Sequence, residues 1–226
     1  MDTAQAYRTG RWALLAGILG IVAVGLLITA LAAPTPEVNG MRRETSLFAW
    51  QNGGVIPQAL AMIPVTLGLH RLSADSAAGP RAGLLWLGLV AQVSLIVTSA
   101  LLFPGLVSDM LYMGPIGLVG LWLLLVNRPK DGPMSKGVAW TGRVAGAGLL
   151  AVGAGFVIYG AAVAPAVFIR PLTNAEIDAQ SLTTGNLVAH VLMAVGTLLG
   201  RLIYPIWALL LGRQLIGRSR ARTGSA

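Results

Sequence analysis

The sequence predicts an all-α, polytopic membrane protein with six transmembrane helices. Six stretches, each 18 to 27 residues long, contain no charged residue. A helix needs about 20 mostly apolar residues to cross about 30 Å of hydrocarbon. The chain is 11% charged, whereas soluble domains average about 25% charged residues. The uncharged stretches are 12–36, 45–70, 82–108, 110–127, 144–169 and 179–200.

The basic residues independently support six spans. Twelve of the 16 Lys and Arg residues fall in segments on one side of the predicted bundle, and three fall on the other. Positive charge stays on the cytoplasmic side of a membrane, so the N and C termini are both predicted to be cytoplasmic. An odd number of spans would put the two basic ends of the chain on opposite sides and break this alternation.

The first three predicted spans end at proline or at basic residues. Span 1 covers residues 11–33 and stops before Pro34, which cannot continue a helix. Span 2 covers 53–72 and ends among basic residues. Its two internal prolines are tolerated because neighbouring helices in a membrane satisfy the carbonyls that proline frees. Span 3 covers 83–103 and is closed by Pro104.

The last three predicted spans complete a single transmembrane domain over residues 1–226. Span 4 covers 107–126 with Pro115 inside it, and span 5 covers 142–163. Span 6 covers 185–211 and contains Pro205. Six helices and their short connections use nearly the whole chain and leave no room for a soluble domain.

Glycines recur four residues apart on spans 5 and 6, at Gly142 and Gly146 and again at Gly196 and Gly200. This spacing lets helix backbones approach closely where lipid supplies no hydrophobic drive. We expect these glycines to pack helices within one bundle; the alternative is a seam between two copies of the chain.

Most tryptophans fall near the predicted ends of spans, where indole rings sit at the membrane interface. This pattern predicts interfacial positions for Trp12, Trp50, Trp86, Trp140 and Trp207.

Arg201 is the most unusual residue because it lies inside span 6, about 15 Å from its cytoplasmic end by helical rise. A charge at that depth costs at least about 2.5 kcal/mol to insert. Gln92 of span 3 is predicted at a similar depth. We hypothesise that Arg201 points inward near Gln92 and binds an anionic substrate, a lipid headgroup or a partner's carboxylate. The alternative is that Arg201 snorkels towards the cytoplasm or only locks helices together.

A second group of polar residues is predicted near the outer face, where four residues on three spans share a similar height. An Asp–His pair there would shuttle protons or sense pH; the alternative is a hydrogen-bonded cluster that joins helix ends. The four candidate binding residues are Gln58, Asp109, Tyr112 and His190.

The composition argues against most catalytic chemistry. There is no cysteine, and therefore no disulfide, thiolate metal site or cysteine nucleophile. The two histidines, His70 and His190, are predicted at opposite membrane faces and so cannot share one haem iron. No hydrolase, metalloprotease or nucleotide-binding motif is present. We therefore predict no catalytic residue, no metal or other cofactor, no nucleic-acid partner and no enzymatic activity.

Three segments resemble parts of uncharacterised small bacterial membrane proteins that have about six helices. They are RTGRWALLAGILG at 8–20, GVAWTGRVAG at 137–146 and YPIWALLLGRQL at 204–215. The resemblance implies a six-helix fold in a bacterial inner membrane, and it implies no activity.

Three functions are consistent with these observations. The first is a non-catalytic accessory or interaction subunit, partnered by the lipid bilayer and by another membrane subunit or a second copy. The alternative is a small transporter or binding protein for a lipid-like or anionic small molecule. A membrane enzyme is the third and the least supported. A polar cavity that reaches Arg201 would favour the second function, and a tightly packed core with an exposed groove would favour the first.

Overall fold

The computed structural model describes residues 3–32, 37–38, 41–42, 46–74, 82–102, 110–128, 134–168 and 183–223. Within these residues the protein is all-helical apart from one two-residue β-ladder, which confirms the predicted all-α class. The helices are α1 Thr3–Ala32, α2 Ser46–Ala74, α3 Ala82–Leu102, α4 Met113–Val126, α5 Lys136–Ala162 and α6 Thr184–Thr223, with a 3₁₀ turn at Pro165–Phe168. The antiparallel ladder pairs β1 Glu37–Val38 with β2 Met41–Arg42 between α1 and α2.

The helices form a closed ring in chain order. Each helix packs against the next one, and α6 closes the ring by packing against α1. Gly10 near the start of α1 lies against Gly212 near the end of α6, and Thr9 lies against Gly68 near the end of α2. Neighbouring helices in these pairs therefore run in opposite directions, and the two ends of the described chain lie at the same end of the bundle.

The basic residues gather at that end of the bundle. The backbone N–H of Ser135, before α5, donates to Gln214 Oε1 of α6 at 2.9 Å. Asn127, after α4, lies against Gly142 of α5. These contacts bring the starts of α1 and α5 beside the ends of α2, α4 and α6. The exposed cations there are Arg8, Arg11, Arg71, Arg128, Lys136, Arg213, Arg218 and Arg220.

Glycines let α5 approach both of its neighbours at backbone distance. A Cβ on Gly148 would overlap the backbone of Gly200 on α6, and a Cβ on Gly117 of α4 would meet the Cα of Gly153. Gly196 likewise lies against the Gly148 carbonyl. The prediction that the four-residue glycine spacing packs helices within one bundle is confirmed at these positions.

Five of the described helices are long and apolar enough to cross a membrane, and α4 is a shorter apolar helix. Large apolar side chains face outward, with Trp86, Trp140 and Leu187 each more than 60% exposed. Such a surface is compatible with a lipid environment, in which the outside of the bundle need not be polar.

The helices extend well beyond several predicted spans. α1 begins at Thr3 rather than 11, α2 begins at Ser46 rather than 53, and α6 continues to Thr223 rather than 211. A helix does not have to end where the hydrocarbon ends, because polar residues continue it into the headgroup region and beyond. Gly54, close to the predicted start of span 2, lies within α2 and packs against Ala23 of α1.

α4 is shorter than the predicted span 4. It begins at Met113 after a turn over 110–112, and residues 107–109 of the prediction lie outside the described residues. Pro115 therefore occupies the first turn of the helix and not its interior. Proline is well tolerated there because the first N–H groups of a helix have no intrahelical acceptor.

The interfacial position predicted for Trp207 is wrong. Its side chain is fully buried, and its Nε1–H donates to Asn127 Oδ1 at 3.2 Å. Trp12, Trp86 and Trp140 are exposed on the outside of the bundle as an interfacial role requires, and the side chain of Trp50 lies outside the described part of the chain. An indole is buried where a partner exists for its N–H, and Asn127, directly after α4, supplies one for Trp207.

We expect Gly148→Val to destabilise the bundle by about 1–3 kcal/mol, because the new side chain forces α5 and α6 apart. Gly25→Val is the matched control, since no atom lies within 4 Å of a Cβ at that position. Thermal unfolding in detergent measures both variants. Equal melting temperatures for the two would show that the close α5–α6 approach is not needed.

Candidate functional site

A cavity of about 50 Å³ lies where the six helices meet. Nine of its twelve lining residues are aliphatic or glycine, and three carry polar side chains. Every helix of the ring contributes at least one lining residue, so the cavity is a product of the whole bundle. Representative residues from α1 to α6 are Gly20, Gln58, Leu95, Val119, Leu149 and Arg201.

Arg201 points into this cavity. Its guanidinium carbon lies 4.9 Å from the centre of the Tyr112 ring, in a cation–π contact. Its Nη2 atom is buried and has no hydrogen-bond partner among the described residues. The six uncharged stretches contain no carboxylate, so none of them supplies a counter-ion for this charge.

The orientation of Arg201 follows from the geometry of α6. Side chains on a helix tilt towards its N-terminus, and the N-terminal end of α6 lies away from the basic end of the bundle. Tyr112 immediately precedes α4, at the end opposite Arg128. The predicted inward orientation of Arg201 is therefore confirmed, and the side chain does not snorkel towards the basic end.

Gln58 of α2 provides a second polar group in the cavity. Its side chain is only 8% exposed, and its Nε2 atom has no hydrogen-bond partner in the described structure. Gly20 of α1 makes room for it, because a Cβ at Gly20 would overlap the Gln58 amide. A buried polar group without a partner costs about 1–3 kcal/mol, and a ligand accepting a hydrogen bond there would remove that cost.

Tyr204, one turn after Arg201 on α6, is the third polar residue. Its hydroxyl oxygen accepts a hydrogen bond from Gln92 Nε2 at 3.5 Å, which leaves the phenolic proton available for another acceptor. Gln92 is fully buried, as its predicted depth required, but it reaches the cavity only through Tyr204. Arg201, Gln58 and Tyr204 thus provide three donor groups.

A buried aromatic stack holds Tyr204 in place. The Trp207 ring is stacked on Tyr204 at 6.1 Å and meets Trp122 edge-on at 6.1 Å. The Asn127 side chain accepts from Trp207 and donates from Nδ2 to the Leu123 carbonyl at 2.8 Å. Asn127 therefore fixes the orientation of the Trp207 indole on which Tyr204 is stacked.

Pro205 adds a backbone feature beside the cavity. Proline has no N–H, so the carbonyl of Arg201, four residues earlier, lacks its normal helical donor. The ring of Pro205 lies against Gly20 of α1. Arg201, Tyr204 and Pro205 have the three- and four-residue spacing of one helix face, which is a signal in the sequence that they lie together.

The structure describes three of the four residues of the predicted outer-face cluster. Gln58 lines the central cavity and Tyr112 contacts Arg201, so both belong to the Arg201 site. His190 is exposed, and its Nδ1 lies 2.8 Å from the Asn186 carbonyl of its own helix. Asp109 lies outside the described residues, so the proposed Asp109–His190 pair stays a prediction.

The misplacement of Gln58 has a simple cause. Counting from residue 53 put Gln58 near the outer end of span 2, but α2 begins at Ser46. Gln58 then lies about 18 Å along the helix at 1.5 Å per residue, close to the level of Arg201. Trp207 and Asn127 were missed because nothing in their local sequence indicates that they meet.

No group of three metal-binding side chains occurs among the described residues. Comparisons with protein families, with curated proteins and with solved structures found no match to this chain. The case for function therefore rests on the geometry of the cavity.

We expect Asn127→Leu to destabilise the protein by about 1–3 kcal/mol, because it leaves the buried Trp207 N–H without an acceptor. Trp207→Phe removes that N–H, so adding it to Asn127→Leu should cost less than the sum of the two single changes. Thermal unfolding of the four proteins in a double-mutant cycle measures this coupling. Additive losses would mean that the Asn127–Trp207 hydrogen bond contributes nothing.

Proposed function

We propose that this chain is a non-catalytic, multi-pass protein of a bacterial inner membrane that binds an anionic ligand within its helix ring. The supporting observation is the unpaired Nη2 donor of Arg201, in a cavity that all six described helices line. The ligand class is an anionic small molecule or the acidic group of a lipid-like molecule, and the role is binding or transport.

The energetics of Arg201 support a ligand more than a structural role. The residue lies about 18 Å along α6 from Arg213, inside predicted span 6, where an unpaired cation is costly. Its Tyr112 contact contributes about 0.5–2 kcal/mol, and apolar residues could pack helices without the charge. A bound anion would neutralise the guanidinium and occupy its free donor.

The cavity also favours one of the two functions considered first over the other. An accessory subunit needs an external docking surface and has no use for an inward, unpaired arginine. A binding protein or small transporter needs a polar group inside the bundle, which Arg201, Gln58 and Tyr204 supply. We therefore place ligand binding ahead of the accessory-subunit role.

The six-span topology with cytoplasmic termini is part of this proposal. Five helices are long and apolar enough to span, and α4 lies in the ring between two of them, α3 and α5. A helix in that position is inside the membrane if its neighbours are. The clustering of exposed cations at one end of the bundle favours a cytoplasmic location for that end.

Reporter fusions test the topology. Fusions at Ser135 and after the C terminus should both report the cytoplasm, and one within the β1–β2 connection should report the opposite side. Removing the Arg213 charge alone should not change this result, because many other basic residues contribute to the positive charge at that end of the bundle. Opposite locations for the Ser135 and C-terminal fusions would overturn the six-span arrangement.

Substitution of Arg201 tests ligand binding. Arg201→Leu should preserve or raise the intrinsic melting temperature, because replacing a buried charge by an apolar residue is often neutral or stabilising. It should abolish any stabilisation of the purified protein by added acetate, decanoate, sulfate or phosphatidylglycerol. Thermal unfolding in a neutral detergent measures both effects.

Arg213→Leu is the matched control, since it removes an exposed arginine from the same helix and should retain the ligand response. Native mass spectrometry of the wild type and Arg201→Leu would detect an anionic molecule that co-purifies only with the former. If none of the four probes stabilises the wild type and no bound anion is detected, the proposal is wrong.

A further inference from the structure

The size of the cavity limits what it holds. A water molecule needs about 10–15 Å³ of such volume, so a cavity of about 50 Å³ has room for roughly three to five waters. A cavity that holds a benzene ring is about 150 Å³. A carboxylate group with a very short alkyl chain matches the smaller volume.

The charge of the site limits the ligand further. Arg201 is the only charged residue among the described residues that line the cavity. A monoanion bound to it gives a neutral pair, and a dianion leaves one uncompensated negative charge at low dielectric, which is strongly unfavourable. The site should therefore prefer a singly charged ligand to sulfate or phosphate.

The walls distinguish a carboxylate from an inorganic monoanion. Val24, Leu27, Val55 and Ile116 line the cavity together with other aliphatic residues. An alkyl group gains from contact with such walls, at about 0.8 kcal/mol for each buried methylene, whereas a halide gains nothing from them. The three donors together with the apolar walls match a small amphiphilic anion.

We infer that the cavity binds a short-chain monocarboxylate, which deepens and rests on the proposed function. The carboxylate accepts hydrogen bonds from Arg201 Nη2 and Gln58 Nε2, both unpaired in the described structure. The Tyr204 hydroxyl is a third donor, because Gln92 already donates to its oxygen. The alkyl end lies against the aliphatic wall.

Ligand-dependent thermal unfolding and calorimetry of the full chain in neutral detergent test this inference. Acetate and propionate should raise the melting temperature of the wild type, chloride should do so less, and sulfate should have no effect. Decanoate should bind more weakly than propionate if the ligand is enclosed. Tighter binding of decanoate would identify the acidic end of a fatty acid as the source of the carboxylate and would overturn the short-chain assignment.

Gln58→Leu should weaken propionate binding roughly tenfold to a hundredfold through loss of a hydrogen bond to a charged group. Gln5→Leu is the matched control, because Gln5 lies near the start of α1, far from the cavity, and should leave propionate affinity unchanged. An equal loss in both variants would indicate a general effect of the substitution and would count against the assigned site.

The outcomes separate this inference from the proposed function. Arg201-dependent binding of sulfate or of an anionic phospholipid, without binding of propionate, would overturn the monocarboxylate and leave an anion-binding protein. Propionate binding that survives in Arg201→Leu would overturn both. Absence of an Arg201-dependent response to any anion would also overturn both.

Discussion

The guanidinium of Arg201 lies inside the helix ring, and the arrangement of the polar residues in the interior depends on it. Arg201 has no carboxylate partner in any uncharged stretch of the chain, and its described contact is the face of Tyr112. At low dielectric an unpaired charge is tolerated only with polar or ligand contacts around it. Gln58, Tyr204 and the cavity between them are arranged where such contacts are needed.

Close helix packing elsewhere is what leaves space at the centre. Glycines on α4, α5 and α6 bring these backbones together on the outer parts of the ring, while Gly20 makes room for Gln58 on the inside. The Tyr204–Trp207–Trp122 stack fills the α4–α6 side and is anchored by Asn127. The Asn127 and Trp207 side chains satisfy each other, whereas Arg201 Nη2 and Gln58 Nε2 at the cavity have no partner among the described residues, and that contrast distinguishes the scaffold from the candidate site.

The sequence alone was sufficient for the class of fold and for its most unusual residue. Long uncharged stretches predict helices that cross lipid, and Arg201 stands out without any structure because it lies inside predicted span 6. Gln92, predicted at a depth similar to that of Arg201, contacts Tyr204 one turn further along α6. Counting from a predicted start at 53 underestimated the distance of Gln58 from the beginning of its helix, because α2 begins at Ser46.

The sequence therefore determined three features of the bundle: apolar helices, one arginine well inside a predicted span, and a basic end. Tertiary structure decided which residues meet. Hydropathy and charge are properties of single segments, and they contain no information on which faces of separate helices come together. Contacts between separate helices bring Gln58 and Arg201 to one cavity, place Arg201 against Tyr112 and bury Trp207 against Asn127, and no local pattern in the chain encodes them.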